Sequence, residues 1–420
     1  MPAVDNKIAH LIIGGGLAGA KAAEALRQEG AKGRIVLLSA DADRPYHRPP
    51  LSKDFLRGET PRDDVFVHPA DWAAQHDVDV RLECTVEHLS VADQTVTLAG
   101  GETLSFNSLL LATGASPRAL EIPGADLPDV LYLRSLRDSE AIRRAAEGKR
   151  RAVLIGGGFI ATELAASLRQ LGLETALVTR QAVLWEHLFG AAAAQVFQRT
   201  LAGQGVTVIN GDEAARIEGN GRAERVITSG GRTLDADLVV AGVGVTPETK
   251  LARHTSVKVE SGIVVDQFLQ TNQPGIYAAG DVARFFSPLY EAYMRVEHWD
   301  VAQQQGALAG KNMAREAAGQ YQRREAFDQP PYFFSDLFDL SMEFLGHNQG
   351  WDDLVIRGDL DGREFTAFYL KGGRLVAGLF VNRNTDVEAT RALIQRRLQV
   401  DDAVRRQLGD AQADLGKVAG

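Results

Sequence analysis

Cysteine is almost absent from this sequence of 420 residues, in which Cys84 is the only one. A single cysteine cannot form an internal disulfide, so a redox-active cysteine pair within the chain is excluded. The same scarcity suits a reducing compartment, and we expect a cytoplasmic protein. Cys84 lies in a strand-like stretch, where a packed and unreactive thiol is the favoured interpretation.

Long apolar runs and an excess of positive charge are also missing. No apolar run reaches the roughly 18 residues that a transmembrane helix needs, so no membrane span is predicted. The first residues lack a charged-then-apolar pattern, and no signal peptide is expected. The net charge of -9 argues against nucleic acid as a general partner. No metal site is predicted, and the length predicts about two to four domains.

A short apolar strand at residues 10–13 leads into a turn and a helical segment, with glycines at Gly14, Gly16 and Gly19. The first allows the tight turn, the second lets a pyrophosphate approach the backbone, and the third lets the helix pack on the strand. The helix N-terminus then faces the phosphates. A second strand follows, and Asp41 near its end is placed to hold a ribose hydroxyl. The pattern predicts a dinucleotide-binding unit; the alternative is a glycine-rich turn in an unrelated α/β domain.

The same pattern returns about 140 residues later. An apolar strand at residues 151–155 is followed by Gly156, Gly158 and Ala161, and alanine is an accepted variant of the third glycine. Two such patterns in one chain are much more specific than one. Their simplest meaning is that two dinucleotides bind at once.

The second unit also bears on which nicotinamide cofactor is used. Its second strand ends in Thr179 and Arg180, and the next acid along the chain is Glu186. An acid at the strand end would pair with the ribose hydroxyls of NADH and repel a 2′-phosphate, whereas Arg180 can bind that phosphate. We expect NADPH or NADH, with a weak preference for NADPH or use of both. The alternative is that Arg180 points to solvent and Thr179 accepts either cofactor.

Further apolar strands end in small or acidic residues, which suit the sheet edge where ligands bind. These residues are Ala112, Thr113, Gly114, Gly242, Gly244, Gly280 and Asp281. Helical spacing at 301–310 predicts a helix that Asp300 caps. Three prolines within residues 45–50 predict a stiff, irregular segment rather than a helix, and this segment carries Arg48 and Lys53. A proline-stiffened surface loop with solvated charges is the alternative.

The sequence changes character from about residue 326. Predicted strands alternate with turns and are followed by a helix at 386–399 and a polar tail; the strands lie at 342–346, 353–357, 364–370 and 374–382. This mixture predicts a separate α+β domain. The fold class is therefore α/β, with two Rossmann-like dinucleotide-binding domains plus a C-terminal α+β domain.

The order of these motifs resembles that of the two-dinucleotide flavoprotein reductases, from about residue 8 to the end. The segment at 44–53, Arg-Pro-Tyr-His-Arg-Pro-Pro-Leu-Ser-Lys, is similar to that of FAD-dependent NAD(P)H:ferredoxin reductases serving Rieske oxygenases and cytochromes P450. The segment at 296–302, which contains His298 and Trp299, is similar to that of apoptosis-inducing-factor-like proteins and monodehydroascorbate reductases.

The resemblance implies domains and binding roles. It implies a discontinuous FAD-binding domain at 1–115 and 246–325, an NAD(P)H-binding domain at 116–245 and a C-terminal domain at 326–420. Besides the two glycine patterns, Thr179 and Arg180, the implied cofactor-binding residues are Asp41, Arg48, Lys53, Ala112, Thr113, Gly114, Glu163, Gly242, Gly244, Gly280, Asp281, His298 and Trp299.

The resemblance also implies how the reaction runs. Hydride passes from the nicotinamide to FAD, with Asp281 on the ribityl chain and the helix near Asp300 directing its positive end at the flavin ring. Lys53 and Glu163 match the charged pair that the family places beside the flavin, and they are the implied catalytic residues. Taken alone, each would be interpreted as a solvated surface charge.

The scarcity of cysteine then decides how electrons leave. Disulfide reductases of this fold need a cysteine pair, and the peroxide and coenzyme A branch needs a cysteine within 42–58, where none occurs. Electrons must pass directly from the flavin to an outside acceptor, and a [2Fe–2S] ferredoxin is the expected one. Reduction of a small acceptor (a quinone, an organic radical or oxygen) and a redox-sensing binding protein like apoptosis-inducing factor stay open as alternatives.

Overall fold

The computed structural model describes residues 7–418, which group into two compact units. The first contains the described residues of Met1–His47, Asp63–Ser116 and Thr246–Gln329. The second contains those of Arg48–Arg62, Pro117–Val245 and Pro330–Gly420. Each unit is therefore assembled from three separate stretches of the chain.

Strands occur throughout both units. They are β1 (Ile8–Ile13), β2 (Ile35–Leu38), β3 (Val78–Arg81), β4 (Val86–Ser90), β5 (Thr95–Leu98), β6 (Thr103–Leu111), β7 (Ala115–Pro117), β8 (Val130–Tyr132), β9 (Arg151–Ile155), β10 (Glu174–Thr179), β11 (Val206–Asn210), β12 (Ala214–Glu218), β13 (Arg225–Thr228), β14 (Thr233–Asp235), β15 (Leu238–Ala241), β16 (Val245–Pro247), β17 (Ile263–Val265), β18 (Ile276–Ala278), β19 (Ala283–Ser287), β20 (Ala292–Met294), β21 (Tyr332–Leu337), β22 (Leu340–Gly346), β23 (Asp353–Asp359), β24 (Glu364–Lys371) and β25 (Arg374–Val381).

The α-helices range from single turns to 19 residues. They are α1 (Leu17–Gln28), α2 (Asp54–Arg57), α3 (Trp72–Gln75), α4 (Leu136–Ala146), α5 (Phe159–Gln170), α6 (Glu186–Phe189), α7 (Ala191–Gly203), α8 (Lys250–Arg253), α9 (Trp299–Ala317), α10 (Val387–Gln395) and α11 (Asp402–Gly409). Within residues 7–418, no helix combines the length and apolar character needed to cross a bilayer.

The first unit is built on a parallel sheet in the order β3-β2-β1-β6, and β18 pairs with the carboxyl-terminal part of β6. Strands β1 and β2 are almost wholly buried, as expected for a parallel sheet covered on both faces. Helix α1 packs against α9, and a Cβ added at Gly306 or Gly310 would overlap the backbone of Ala18 or Ala22. Two glycines one turn apart thus allow close helix contact.

The second unit repeats this plan. A parallel sheet in the order β11-β10-β9-β15-β8 carries α5 directly after β9, as α1 follows β1. The same unit includes an antiparallel sheet in the order β21-β22-β25-β24-β23, against which α10 and α11 pack. Both predicted strand–turn–helix units and the predicted C-terminal strands are confirmed.

Three local predictions are wrong in part. Residues Pro49–Ser52 form a 3-10 helix, and α2 follows. Proline is tolerated at the first positions of a helix because a backbone N–H there would have no acceptor within the helix. Helix α9 begins at Trp299 with His298 as its N-cap, so Asp300 lies inside the first turn instead of capping it. The predicted polar tail contains α11, whose N-cap Asp401 accepts hydrogen bonds from two backbone N–H groups.

Candidate functional site

The three glycines of the first turn differ in their surroundings: two approach the backbone closely, and one borders open space. A Cβ at Gly14 would overlap the carbonyl of Ala112, and one at Gly19 would overlap the carbonyl of Gly14, so both glycines are needed by the protein itself. A Cβ at Gly16 would meet no described atom within 4 Å. Among the described residues, no side chain accepts from the N-terminus of α1, whose cap is Gly16. Open space beside free N–H groups is what a pyrophosphate requires.

The second glycine turn repeats this arrangement. Gly156 has a φ of +127°, and a Cβ there would overlap the carbonyl of Gly242. Gly158 borders open space in the described structure and is the N-cap of α5. Ala161 fits at the third position because it faces Gly242, where an added Cβ would come within a crowded 3.1 Å of the Ala161 Cβ. Both turns therefore fit a dinucleotide.

A buried glutamine that the sequence did not reveal supports binding in the first unit. The Gln305 amide is fully buried on α9, and its Oε1 accepts a hydrogen bond of 2.9 Å from the N–H of Gly280. Its Nε2 has no hydrogen-bond partner among residues 7–418. Because an unpaired buried donor is costly, a bound polar group fits here. The neighbouring Gly280 and Asp281 form a 3-10 turn directly after β18.

Asp41, predicted to hold a ribose, follows β2 and is fixed by its own loop. Its Oδ1 accepts from the N–H of Asp43 and its Oδ2 accepts from the hydroxyl of Tyr46 at 2.8 Å. After β6, Ala112 is buried, Gly114 has a φ of +70°, and the Thr113 hydroxyl donates to the carbonyl of Glu248 at 2.6 Å. These residues lie at the carboxyl edge of the sheet, as expected.

Trp299 lies at the first position of α9, and its indole Nε1 donates to Nδ1 of His47 at 2.9 Å. Accepting this bond requires a neutral His47 ring with its proton on Nε2. Burial, and then the charge of Lys21, lower the pKa of His47, which favours that form. This contact could not be predicted from local spacing, because the two partners are 252 positions apart.

Lys53 and Glu163 form a buried ion pair in the second unit. Lys53 Nζ lies 2.9 Å from Glu163 Oε1, and the two side chains are 10% and 5% exposed. Two serines complete the carboxylate environment: the Ser52 hydroxyl donates to Oε2 at 2.5 Å and the Ser335 hydroxyl donates to Oε1 at 2.6 Å. The predicted pairing is present, and the solvated-charge interpretation of both residues is wrong.

The segment carrying Lys53 is anchored on both sides. Ser167, one turn after Glu163 on α5, donates to the carbonyl of Ser52 at 2.6 Å. Ser139 of α4 donates to the carbonyl of Leu51 at 2.7 Å. The guanidinium of Arg48 donates to the carbonyl of Arg134, so its predicted contact with a cofactor stays a prediction.

The predicted cofactor-selecting residues differ in exposure. Thr179 is buried, and its Oγ1 accepts from the N–H of Gln181 and lies beneath Gly157. The Arg180 side chain is 82% exposed, and its Nη1 lies 3.8 Å from Oε2 of Glu213. Although β10 itself carries no acid at this end, Glu213 in the loop after β11 places one beside Arg180. Gly244, the other predicted glycine of this unit, has a φ of +102° and accepts at its carbonyl from the N–H of Arg118.

Cys84 is half-buried against the apolar core of the first unit. Burial raises the pKa of its thiol, which makes the reactive thiolate scarce at neutral pH. In the part of the chain that the structure describes, no group of three or more histidine, cysteine, aspartate or glutamate side chains is arranged to hold a metal ion.

Comparison with known proteins adds to this geometry. Residues 8–306 match the family model described as pyridine nucleotide-disulphide oxidoreductase. The chain belongs to this family. Residues 332–419 match a second model, described as reductase C-terminal. The family name refers to disulphides, but this chain has a single cysteine and therefore no internal disulfide.

Two relatives and one solved structure refine the class. Putidaredoxin reductase of Pseudomonas putida is 32% identical and covers 100% of this chain and 97% of its own. The ferredoxin–NAD(+) reductase component of the anthranilate 1,2-dioxygenase system of Burkholderia cepacia is 33% identical over 96% of this chain and 98% of its own. The solved covalent putidaredoxin reductase–putidaredoxin complex contains a chain that is 30% identical, with a TM-score of 0.91 and coverage of 99% and 98%.

These relatives confirm the predicted resemblance, the α/β fold class and the enzyme class. The chain is an oxidoreductase of the ferredoxin reductase type that uses FAD and NAD(H). The preference for NADPH, the domain boundaries and the roles of individual residues stay predictions. Four residues of the candidate site were not identified from the sequence: Ser52, Ser335, Gln305 and Glu213. Of these, Ser335 could have been noticed as a polar residue at a buried position of a strand.

Proposed function

We propose that this protein takes a hydride from NAD(H) onto FAD and passes the electrons singly to a [2Fe–2S] ferredoxin. One combination of features carries the proposal. The chain has two glycine turns with open space at Gly16 and Gly158, and its single cysteine is half-buried with a raised pKa. Without a redox-active cysteine pair, no thiol of the protein can carry the electrons between the flavin and the acceptor. The putidaredoxin in the solved complex and the ferredoxin in the name of the Burkholderia cepacia relative support a protein of the ferredoxin type as that acceptor.

We assign residues 1–115 and 246–325 to FAD, 116–245 to NAD(H), and 326–420 to a C-terminal α+β domain. The open space at Gly16 and the unpaired Nε2 of Gln305 support FAD in the first region. The open space at Gly158 and the exposed Arg180 support a nicotinamide cofactor in the second. The match of residues 332–419 to the reductase C-terminal model supports the third.

The chain's own contribution is binding, orientation and charge. Acceptance of a hydride and release of single electrons belong to FAD when it is bound. Gly16 and Gly158 leave room for the phosphates, and the N-termini of α1 and α5 supply N–H donors. Lys53, held by Glu163, supplies a fixed positive charge for the flavin, and Asp281 and Trp299 are the other proposed contacts. No residue needs to act as a nucleophile or general base.

The test uses the purified yellow protein with NADH and cytochrome c as the final electron acceptor. Adding putidaredoxin or a [2Fe–2S] ferredoxin should raise cytochrome c reduction well above the rate without it. The same assay with a quinone and no ferredoxin should stay slow. Rapid turnover with the quinone alone, together with no gain from any [2Fe–2S] protein tried, would contradict the proposal.

A cytoplasmic location is part of the proposal. Its support is compositional, because a sequence with one cysteine suits a reducing compartment. Fractionation of cells producing the tagged protein would test this location. Recovery of the activity from a membrane or periplasmic fraction would contradict it.

A further inference from the structure

The carboxylate of Glu163 is bound by three donors, and one of them comes from the C-terminal region of the chain. Ser335 lies on β21 and is 1% exposed, and its hydroxyl donates to Glu163 Oε1 at 2.6 Å. Lys53 Nζ approaches the same oxygen at 2.9 Å, while Ser52 occupies the other. We propose that Ser335 is a positioning residue, which fixes Glu163 so that Lys53 is held in place for the flavin.

A buried ion pair needs this kind of support. Two charges taken out of water are stable only when geometry is good and the remaining lone pairs are hydrogen-bonded. Glu163 on α5 has a long side chain that one lysine does not immobilise. The two serine hydroxyls occupy both oxygens of the carboxylate, and short hydrogen bonds to an ionised group are strong and directional. Together the three donors favour the orientation of the carboxylate that the structure shows.

The neighbouring residue on β21 faces the lysine. The ring of Phe334 lies 5.4 Å from Lys53 Nζ, within the range of a cation–π contact. Lys53 thus has Glu163 and Phe334 as partners, and β21 supplies both a donor to the acid and a ring to the base. Movement of β21 would shift the charged group, so the C-terminal region has a direct physical link to the proposed flavin-facing lysine.

This inference rests on the proposed function, because it assumes that Lys53 serves the flavin. Its test compares holoproteins carrying Ser335→Ala, Ser335→Thr, Lys53→Ala and the double change Ser335→Ala with Lys53→Ala. Ser341→Ala is the matched control, since Ser341 is an exposed serine on the adjacent strand β22. Two quantities are measured: the limiting rate constant of flavin reduction by NADH in a single turnover, and the flavin reduction potential by equilibrium titration.

Ser335→Ala should slow reduction about 5- to 30-fold, as expected for the loss of one charge-assisted hydrogen bond. It should shift the potential in the same direction as Lys53→Ala. Ser335→Thr keeps the hydroxyl and should restore most of the rate, and Ser341→Ala should match the native protein. The double variant should behave like Lys53→Ala alone, because a residue acting through Lys53 has no effect once that lysine is gone.

A purely structural role would give a different result. A Ser335→Ala protein that is less stable but reduces at the native rate and potential would overturn the inference, as would independent effects that multiply in the double variant. If Ser335→Ala does not fold, Ser335→Cys keeps the shape of the side chain with only a weak donor and should show the same loss. Failure of ferredoxin-dependent turnover in the native protein would instead contradict the proposed function.

Discussion

The contact between Arg180 and Glu213 predicts how the protein selects its nicotinamide cofactor. The 2′-phosphate of NADPH carries about two negative charges, which Arg180 attracts and Glu213 repels. Replacing Glu213 by glutamine removes the repulsion and frees the arginine. We therefore expect Glu213→Gln to raise the ratio of kcat/KM for NADPH to that for NADH, and Arg180→Gln to lower it.

The structure sets the size of the effect. The Arg180 Nη1 and Glu213 Oε2 atoms are 3.8 Å apart, and their side chains are 82% and 55% exposed. Exposed pairs of this kind contribute about 0.2–1 kcal/mol, because water and salt screen them. Each substitution should therefore change the cofactor ratio about 1.5- to 5-fold, and less at high ionic strength.

Steady-state kinetics with both cofactors, at low and high salt, measure this ratio. The matched control is Glu174→Gln, since Glu174 begins the same strand β10 and contacts Arg150 at 2.9 Å in an equally exposed pair. That variant should keep the native ratio, because it lies at the opposite end of the strand. The reasoning is refuted if Glu213→Gln leaves the ratio unchanged, or if both substitutions move it in one direction.

Three other predictions follow from the same structure. Gly16→Val should fold but remain colourless, because its side chain occupies only the open space for the pyrophosphate, whereas Gly19→Val should fail to fold; flavin absorbance and circular dichroism check both outcomes. Cys84→Ser should turn over at the native rate with full flavin content, and an inactive, yellow, folded variant would contradict direct transfer. Burial, and then the charge of Arg27, lower the pKa of His10 to about 4, so the folded protein binds fewer protons than the unfolded chain. Stability should therefore fall by roughly 3 kcal/mol as the pH drops from about 6.5 to 4, and urea midpoints of His10→Gln should lose this share of the pH dependence.

The sequence predicted what local spacing encodes. Gly14, Gly16 and Gly19 lie within six positions, and the close approaches predicted for Gly14 and Gly19 agree with the structure, while the phosphate-facing role of Gly16 stays a prediction. The buried strands β1 and β9 were equally visible as short apolar runs. The order of such motifs resembled that of the two-dinucleotide flavoprotein reductases, and the segment at 44–53 narrowed the resemblance to the ferredoxin reductases.

The missed features depend on residues far apart in sequence. Ser335 is 172 positions from Glu163, and no spacing rule brings a serine of β21 to a carboxylate of α5. Glu213 supplies the acid near Arg180 from the loop after the neighbouring strand β11, so the residues of β10 alone do not reveal it. Helix α11 was missed because its polar composition hid two buried residues, Val404 and Leu408, one turn apart.

The packing of α1 on α9 has a consequence for the synthesis of the protein. From Leu17 to Trp299 the chain advances 282 positions (299 − 17), so the first glycine turn leaves the ribosome long before the helix that covers it. At about 5–20 residues per second this delay is roughly 15–60 s. During that time the apolar face of α1 lacks Gly306 and Gly310 as partners. The nascent first unit therefore presents this apolar face to chaperones until α9 has been made, and the proposed flavin contact Trp299 becomes available only with that helix.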